Sequence, residues 1–253
     1  MTRPKLGLIG IVHEEAKSDF WGTMQRVAEI GYEGIEGASE LLQGDVKANV
    51  ARFHALGLQV ATHSVNKEQL RDPDALDQVI REAQALQTRD VTFWWDVVDT
   101  REQLLADAEL YNAAGARLKA EGLRFCYHNH AHEFQRTFNG VYSLDILAEH
   151  TDPQHLYFRL DVAWITLGGA DPAHILRKMA GRVPAIHLKD VYAPEIGKWT
   201  AVGTGIVNIQ ASIEAAREIG VEWMTVEQDQ LRHLTGIETA TVSYLNLKEK
   251  GLL

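Results

Sequence analysis

Four stretches of the chain repeat one pattern, EIGYEGIE (29–36), ALGLQVATH (55–63), AEGLRFCYH (120–128) and EIGVEWMTVE (218–227). Each has the end of a helical pattern, a glycine, a short apolar run and then a polar or charged residue. Glycine tolerates the left-handed conformation that commonly ends a helix, and a short apolar run bounded in this way is typical of a buried strand. The repeated unit is therefore interpreted as a helix followed by a buried strand.

Across the whole chain, this pattern predicts eight strands that alternate with eight helices. The strands are predicted at 5–11, 33–37, 58–63, 90–95, 123–130, 156–162, 184–190 and 222–228. The helices are predicted at 20–30, 44–56, 73–87, 101–121, 143–150, 171–181, 208–219 and 234–249. Apolar strands separated by helices form a parallel sheet covered by helices. Eight units in 253 residues predict a closed (β/α)8 TIM barrel as a single domain over 1–253, since this fold takes about 250 residues.

The alternative fold is an open doubly wound sheet, which usually has a glycine-rich phosphate turn after its first strand. The sequence there is Gly10-Ile11-Val12-His13, which lacks the G-x-G-x-x-G pattern of that turn. The barrel is therefore favoured.

Composition narrows the classes of partner. The net charge is −10, from 35 acidic and 25 basic residues, and a field of that sign repels nucleic acid and anionic membranes. Apolar stretches are all well short of the roughly 18 residues that a membrane span needs. A single cysteine, Cys126, fits a reducing compartment. We expect a cytoplasmic protein with a small-molecule partner. The sequence is also compatible with a homo-oligomer.

Polar residues end nearly every predicted strand, at the barrel end where TIM-barrel active sites lie. Four come from consecutive strands, namely Glu133, Asp161, His187 and Glu227. A buried unpaired carboxylate is costly, so such groups are paired with a cation or ligate a metal. Together they predict one divalent metal ion. Three carboxylates favour Mn²⁺, Mg²⁺ or Co²⁺, with Zn²⁺ or Fe²⁺ also compatible.

Further residues map to the same end of the barrel. Lys189 follows His187 by two residues, so it is interpreted as a donor to a substrate oxygen or as an ion-pair partner of Asp190 or Glu227. Indole rings stack well on the apolar faces of sugars. The predicted substrate-binding residues are Glu36, His63, Trp95, His128, Trp164 and Trp199. The long segment 191–207 is interpreted as a lid or substrate loop, or as a simple connector.

Several motifs occur together in order. They are YHNHxxEF (127–134), LDVAWITLGGADP (160–172), HLKD (187–190), WTxVGxG (199–205) and VEQD (226–229). In this combination the chain resembles the sugar phosphate isomerase/epimerase family of xylose-isomerase-like TIM barrels. That superfamily also includes inosose dehydratases, ketose 3-epimerases and endonuclease IV.

The resemblance implies metal ligation by Glu133, Asp161, His187 and Glu227. Many relatives carry the first of these acids inside the strand, where this chain has His128. His128 or His130 is therefore an alternative to Glu133 as ligand or base.

The resulting hypothesis is a metal-dependent isomerase or epimerase of a sugar or cyclitol, which removes a proton next to a carbonyl. Glu133 is the first candidate base, Glu227 is the second acid–base group and His130 is the alternative base. The same first step would serve a lyase that acts on a keto-inositol or a 3-keto-glycoside. A non-catalytic sugar-binding barrel is a further alternative. A nuclease of the endonuclease IV type is disfavoured by the charge and by its need for a three-metal cluster.

Overall fold

A closed barrel of eight parallel strands forms the centre of the molecule, in a computed structural model that describes residues 3–253. Each strand pairs with its neighbour along the chain, and the first strand pairs with the last to close the ring. The strands are β1 (Lys5–Ile9), β2 (Gly34–Glu36), β3 (Gln59–Val65), β4 (Asp90–Phe93), β5 (Arg124–His128), β6 (Tyr157–Asp161), β7 (Ala185–Leu188) and β8 (Trp223–Glu227). The predicted (β/α)8 barrel is confirmed.

Helices cover the outside of the barrel. The helices are α1 (His13–Ser18), α2 (Phe20–Ile30), α3 (Val46–Ala55), α4 (Lys67–Arg71), α5 (Pro73–Ala85), α6 (Arg101–Ala120), α7 (His132–Gln135), α8 (Ser143–Glu149), α9 (Val162–Leu167), α10 (Pro172–Lys178), α11 (Ile209–Ile219) and α12 (Gly236–Glu249). Local signals define their ends. Thr100 and Gln103 form a capping box at the start of α6, and Gly220 ends α11 in the left-handed conformation, at φ 77°.

Short elements that the sequence pattern did not predict lie mostly after the carboxyl ends of the strands. They are α1, α4, α7 and α9, a 3₁₀ turn at Ser39–Leu42, and two small antiparallel pairs at Thr137–Phe138 with Val141–Tyr142 and at Asp190–Val191 with Trp199–Thr200. They form much of the wall around the mouth of the barrel. Elements this short span too few residues to display a hydrophobic period.

The barrel interior is unusually polar. TIM-barrel cores are dominated by branched apolar side chains, yet Arg159 on β6 lies fully buried inside this one. Its guanidinium donates to Glu36 Oε1 at 2.5 Å, to Asp90 Oδ2 at 3.0 Å and to Thr92 Oγ1 at 3.1 Å. The barrel is therefore held together internally by charged hydrogen bonds as well as by apolar contact.

One side chain, that of Asp190, holds segment 191–207 by hydrogen bonds to its backbone. The buried Asp190 carboxylate accepts hydrogen bonds from the backbone N–H groups of Gly203, Gly205 and Val207 at 3.0, 2.9 and 3.1 Å, and from that of Val191 at 2.9 Å. We call this arrangement the Asp190 clamp. It fixes both ends of the segment, while Trp199 between them pairs with Val191 in a short antiparallel ladder.

Among the helices described for residues 3–253, none combines the length and the apolar character needed to span a bilayer.

Candidate metal centre

Four side chains from consecutive strands converge at the mouth of the barrel. His128, Asp161 and Glu227 end β5, β6 and β8, and His187 lies on β7. One ligand atom from each lies within 4.8 Å of all the others. Strand register produces this convergence, since Asp161 is paired with His187, and His187 with Thr225, two residues before Glu227. We call these four residues the metal cluster.

The donor atoms of the metal cluster fit a divalent cation. His128 Nδ1 is a buried polar atom that has no hydrogen-bond partner within residues 3–253, and leaving such an atom unpaired costs about 1–3 kcal/mol. Asp161 Oδ2 is also buried, and the charged Nζ of Lys189 lies 3.1 Å from it. The other Asp161 oxygen, Oδ1, accepts from the backbone N–H groups of Ala163 and Trp164 at the start of α9. Two imidazoles and two carboxylates balance a 2+ charge, so these residues could hold such an ion.

Lys189 lies beside the metal cluster and is almost fully buried. Its Nζ lies 3.1 Å from Asp161 Oδ2 and 3.0 Å from Glu227 Oε2, and donates to Asp229 Oδ1 at 2.7 Å. Burial alone would lower the pKa of Lys189, but these three carboxylates raise it. Lys189 therefore stays charged and forms the predicted ion pair with Glu227.

Burial and neighbouring charges set the protonation of the cluster. Burial, opposed by Lys189, raises the pKa of Asp161 to about 6. Burial would lower the pKa of His187, but Glu36 and Glu227 raise it to about 9. Burial and then His187 lower the pKa of His128 well below its usual value. His128 is therefore neutral at pH 7, as metal ligation requires.

Glu133 lies outside the metal cluster, on α7. Its buried carboxylate accepts from the Tyr127 hydroxyl at 2.8 Å and from the His130 backbone N–H at 2.8 Å, and it lies 3.2 Å from His132 Nε2. The structure thus brings together three of the four predicted ligands, and His128 occupies the place predicted for Glu133. The chain turns into α7 directly after β5, which carries Glu133 away from the strand end.

A cavity of about 410 Å³ opens beside the metal cluster. His128, His130 and Glu227 line it on the metal side, while apolar residues of β1, β2 and α2 line the opposite wall. His130 Nδ1 is buried and has no hydrogen-bond partner within residues 3–253. Burial and then Lys189 lower the pKa of His130 to about 3. A neutral imidazole therefore lines the space next to the cluster.

The predicted substrate-binding residues take different positions. Glu36 lines the base of the cavity, whereas His63 contacts Glu82 on α5 at 3.0 Å, and its neighbour Ser64 lines the cavity instead. The Trp95 ring is 58% exposed and lies edge-on to His130 at 4.3 Å.

Two further tryptophans lie beneath the mouth. Trp164 and Trp199 are buried, with ring centroids 4.8 Å apart, and Lys189 Nζ lies 5.2 and 5.1 Å from their centroids. Trp164 also contacts His130, at 5.1 Å between ring centroids. These rings support Lys189 and His130 from the side away from the cavity.

Sequence reasoning missed the interior residue Arg159, which reaches the metal cluster through Glu36. The one available signal is a charged residue in the middle of the apolar run LYFRLDV (156–162).

The two candidates for the first ligand can be separated by matched substitutions. We expect His128→Gln to weaken zinc or manganese binding by more than about 100-fold, beyond the effect of a residue behind the ligands. We expect Glu133→Gln to leave metal affinity within about threefold and to lower stability by about 1–2 kcal/mol, because it disturbs two buried hydrogen bonds. Calorimetric titration and thermal unfolding measure both effects. The reverse ranking of the two affinities would restore Glu133 as the ligand.

The chain matches a known protein family over most of its length. The family described as xylose isomerase-like TIM barrel matches residues 24–241. The inosose dehydratase of Geobacillus thermodenitrificans (strain NG80-2) is 28% identical over 136 residues, 47% of this chain and 45% of the relative. That of Clostridium tetani (strain Massachusetts / E88) is 27% identical over 148 residues, 52% and 49% of the two chains. The matched part of the chain spans about half the length of these curated relatives.

Solved structures share the fold at lower identity. A sugar phosphate isomerase/epimerase from Parabacteroides distasonis ATCC 8503 superposes with a TM-score of 0.83 at 22% identity, covering 100% of this chain and 96% of the other. The IOLI protein with a bound zinc atom superposes with a TM-score of 0.75 at 16% identity, covering 97% of each chain.

Proposed function

Because the chain belongs to the xylose isomerase-like TIM barrel family, we propose that it is a divalent-metal-dependent lyase that removes water from a cyclic keto-polyol such as a keto-inositol. The observation that carries this proposal is the metal cluster, of which His128 and Glu227 line the cavity. The inosose dehydratases among the relatives favour elimination. They thus support the alternative reaction over the isomerase or epimerase predicted first.

The metal centre supplies the electrophile in this proposal. When bound, the ion acts as a Lewis acid that polarises the substrate carbonyl and makes the adjacent C–H acidic. Two imidazoles with two carboxylates suit Zn²⁺, Mn²⁺ or Fe²⁺ better than Mg²⁺, which prefers oxygen ligands. This revises the preference that three carboxylates suggested. The zinc atom in the IOLI protein is compatible with the revised set.

His130 is the residue best placed to move the proton. It lines the cavity, it is neutral at pH 7 because burial lowers its pKa, and its Nδ1 is unengaged within residues 3–253. Glu227 is a poorer base, because Lys189 and His187 outweigh burial and hold its pKa well below the usual value.

In the proposed elimination, His130 takes the proton from the carbon next to the carbonyl. The carbon–oxygen bond at the neighbouring carbon then breaks, a carbon–carbon double bond forms, and the hydroxyl group leaves as water with the proton that His130 returns. Glu133 positions this base, since its carboxylate holds the His130 backbone N–H at 2.8 Å. Lys189 keeps Asp161 and Glu227 in place by its charge.

The direct test is incubation of the metal-loaded protein with 2-keto-myo-inositol in D₂O, followed by NMR and ultraviolet absorption. We expect loss of water and a new conjugated-ketone absorption, abolished by a chelator and restored by zinc or manganese. The general acid–base step contributes about 10²–10⁴-fold to such rates, so His130→Ala is expected to slow turnover by a factor in that range.

The other outcomes of this test are also informative. Deuterium exchange with formation of an isomeric ketone, and no loss of water, would replace the lyase by an isomerase or epimerase. Neither exchange nor elimination across a panel of keto-inositols and 3-keto-glycosides would contradict the enzymatic proposal.

A further inference from the structure

A continuous line of charged groups runs from the metal cluster down the inside of the barrel. Glu227 Oε2 lies 2.7 Å from His187 Nδ1, and Glu36 Oε2 lies 3.0 Å from His187 Nε2. Glu36 Oε1 accepts from Arg159 at 2.5 Å, and Arg159 also donates to Asp90 at 3.0 Å. Asp90 begins β4, at the opposite end of the barrel from the mouth.

His187 is the residue where this line meets the metal cluster. Its Nδ1 faces Glu227, a member of the cluster, whereas its Nε2 faces Glu36, which lies below it. An imidazole that ligates a metal through one nitrogen almost always donates its other N–H to a carboxylate or carbonyl, which fixes the orientation of the ring. Glu36 is in the position to accept that hydrogen bond.

The other carboxylate oxygen of Glu36, Oε1, is held by two donors. Oε1 accepts from Arg159 and from the Thr225 hydroxyl, each at 2.5 Å, which leaves Oε2 for His187. The planar guanidinium of arginine carries several donors in a fixed arrangement, so one group can hold two carboxylates at once. A lysine at this position would offer a single ammonium and a shorter reach.

Stability of the barrel alone does not account for a fully buried arginine. Replacing a buried ion pair by apolar residues of similar volume is often neutral or stabilising, and apolar residues are usual in this layer. Arg159 is paired in register with His128 and precedes Asp161 by two residues on the same strand. It therefore lies directly below the metal cluster.

We propose that Arg159 is a positioning residue for the metal centre, which orients His187 by fixing Glu36 beneath it. This inference rests on the metal centre of the proposed function but not on the elimination reaction. Arg159 acts on the orientation of the His187 ring, and the measurable consequence is a change in metal affinity.

The experiment compares Arg159→Lys and Glu36→Gln with the matched control Asp90→Asn, in the full-length chain. Asp90→Asn makes the same carboxylate-to-amide change on the other side of Arg159, away from His187. We expect the first two variants to bind zinc about 10–100-fold more weakly, the range for a group that orients a ligand. We expect the control to stay within about threefold of the wild type in zinc affinity while losing thermal stability.

A second readout does not depend on metal. The ring N–H of His187 that faces Glu36 is buried, so its proton is expected to exchange slowly and to resonate downfield in the metal-free wild type. We expect that signal to shift upfield or to broaden in Arg159→Lys and Glu36→Gln and to persist in Asp90→Asn. Glu36→Gln serves in place of Arg159→Lys if the latter does not fold.

Unchanged zinc affinity and an unchanged proton signal in folded Arg159→Lys or Glu36→Gln would overturn the proposal, and so would an equal affinity loss in all three variants. Absence of zinc binding by the wild type would instead refute the proposed metal centre. In that case the proton signal alone decides whether Arg159 orients His187.

Discussion

Replacing Glu227 with glutamine is expected to lower the turnover of the metal-loaded protein on the order of 10³-fold. The carboxylate is both a member of the metal cluster and the partner of His187 Nδ1, at 2.7 Å. The amide keeps the shape but removes one of the two negative charges offered to the ion. It also leaves Lys189 with one charged partner fewer.

Steady-state kinetics and metal titration on the same preparation measure this effect. Glu222→Gln is the matched control, because Glu222 lies just before β8 at the opposite end of the barrel and pairs with Arg124 at the surface. The control is expected to keep wild-type turnover. Wild-type turnover in a folded Glu227→Gln protein would mean that the metal cluster does not take part in the reaction.

Replacing Asp190 with alanine is expected to lower the free energy of unfolding by about 4 kcal/mol, because four backbone N–H groups lose their acceptor. Two of them, on Val191 and Val207, are buried, and each unsatisfied buried group costs about 1–3 kcal/mol. For a chain of this size that loss lowers the melting temperature by roughly 8–16 °C. Urea and thermal unfolding measure it.

Asp171→Ala is the comparison for the Asp190 clamp. The Asp171 side chain also accepts from two backbone N–H groups, but it does so at the exposed start of α10. Loss of such a cap costs about 0.5–2 kcal/mol. Equal losses in the two variants would mean that the clamp acts only as an ordinary cap.

The fold follows from the sequence because its signals are long and repeated. Each predicted strand coincides with a strand of the barrel, and each predicted helix is present. The short elements around the mouth escaped prediction, since a segment such as α7 has only four residues. Their formation depends on tertiary contacts, for example the Ser143 hydroxyl donating to the Glu133 carbonyl at 3.2 Å.

The candidate site was predictable to the extent that it depends on strand ends. Asp161 and Glu227 follow from the positions where their strands stop, and His187 lies one residue before the end of β7. The motif YHNHxxEF (127–134) offers three imidazoles and one acid within eight residues, and only the turn after β5 decides which of them faces the centre. The role of Arg159 also depends on three-dimensional contacts, since its partners Glu36 and Asp90 are 123 and 69 residues away in sequence.

The Asp190 clamp has a consequence for how new substrate preferences can arise in this protein. Because the β7 side of the rim is pinned by backbone bonds, sequence drift there is penalised by loss of folding. The rim that follows β1, where Val12, His13, Ala16 and Phe20 border the cavity, is held to α12 by one side-chain bond, from the Ile237 backbone N–H to Glu15 Oε1 at 3.2 Å, against four such bonds at Asp190. Changes in selectivity through evolution or directed mutagenesis are therefore expected to accumulate between residues 10 and 20.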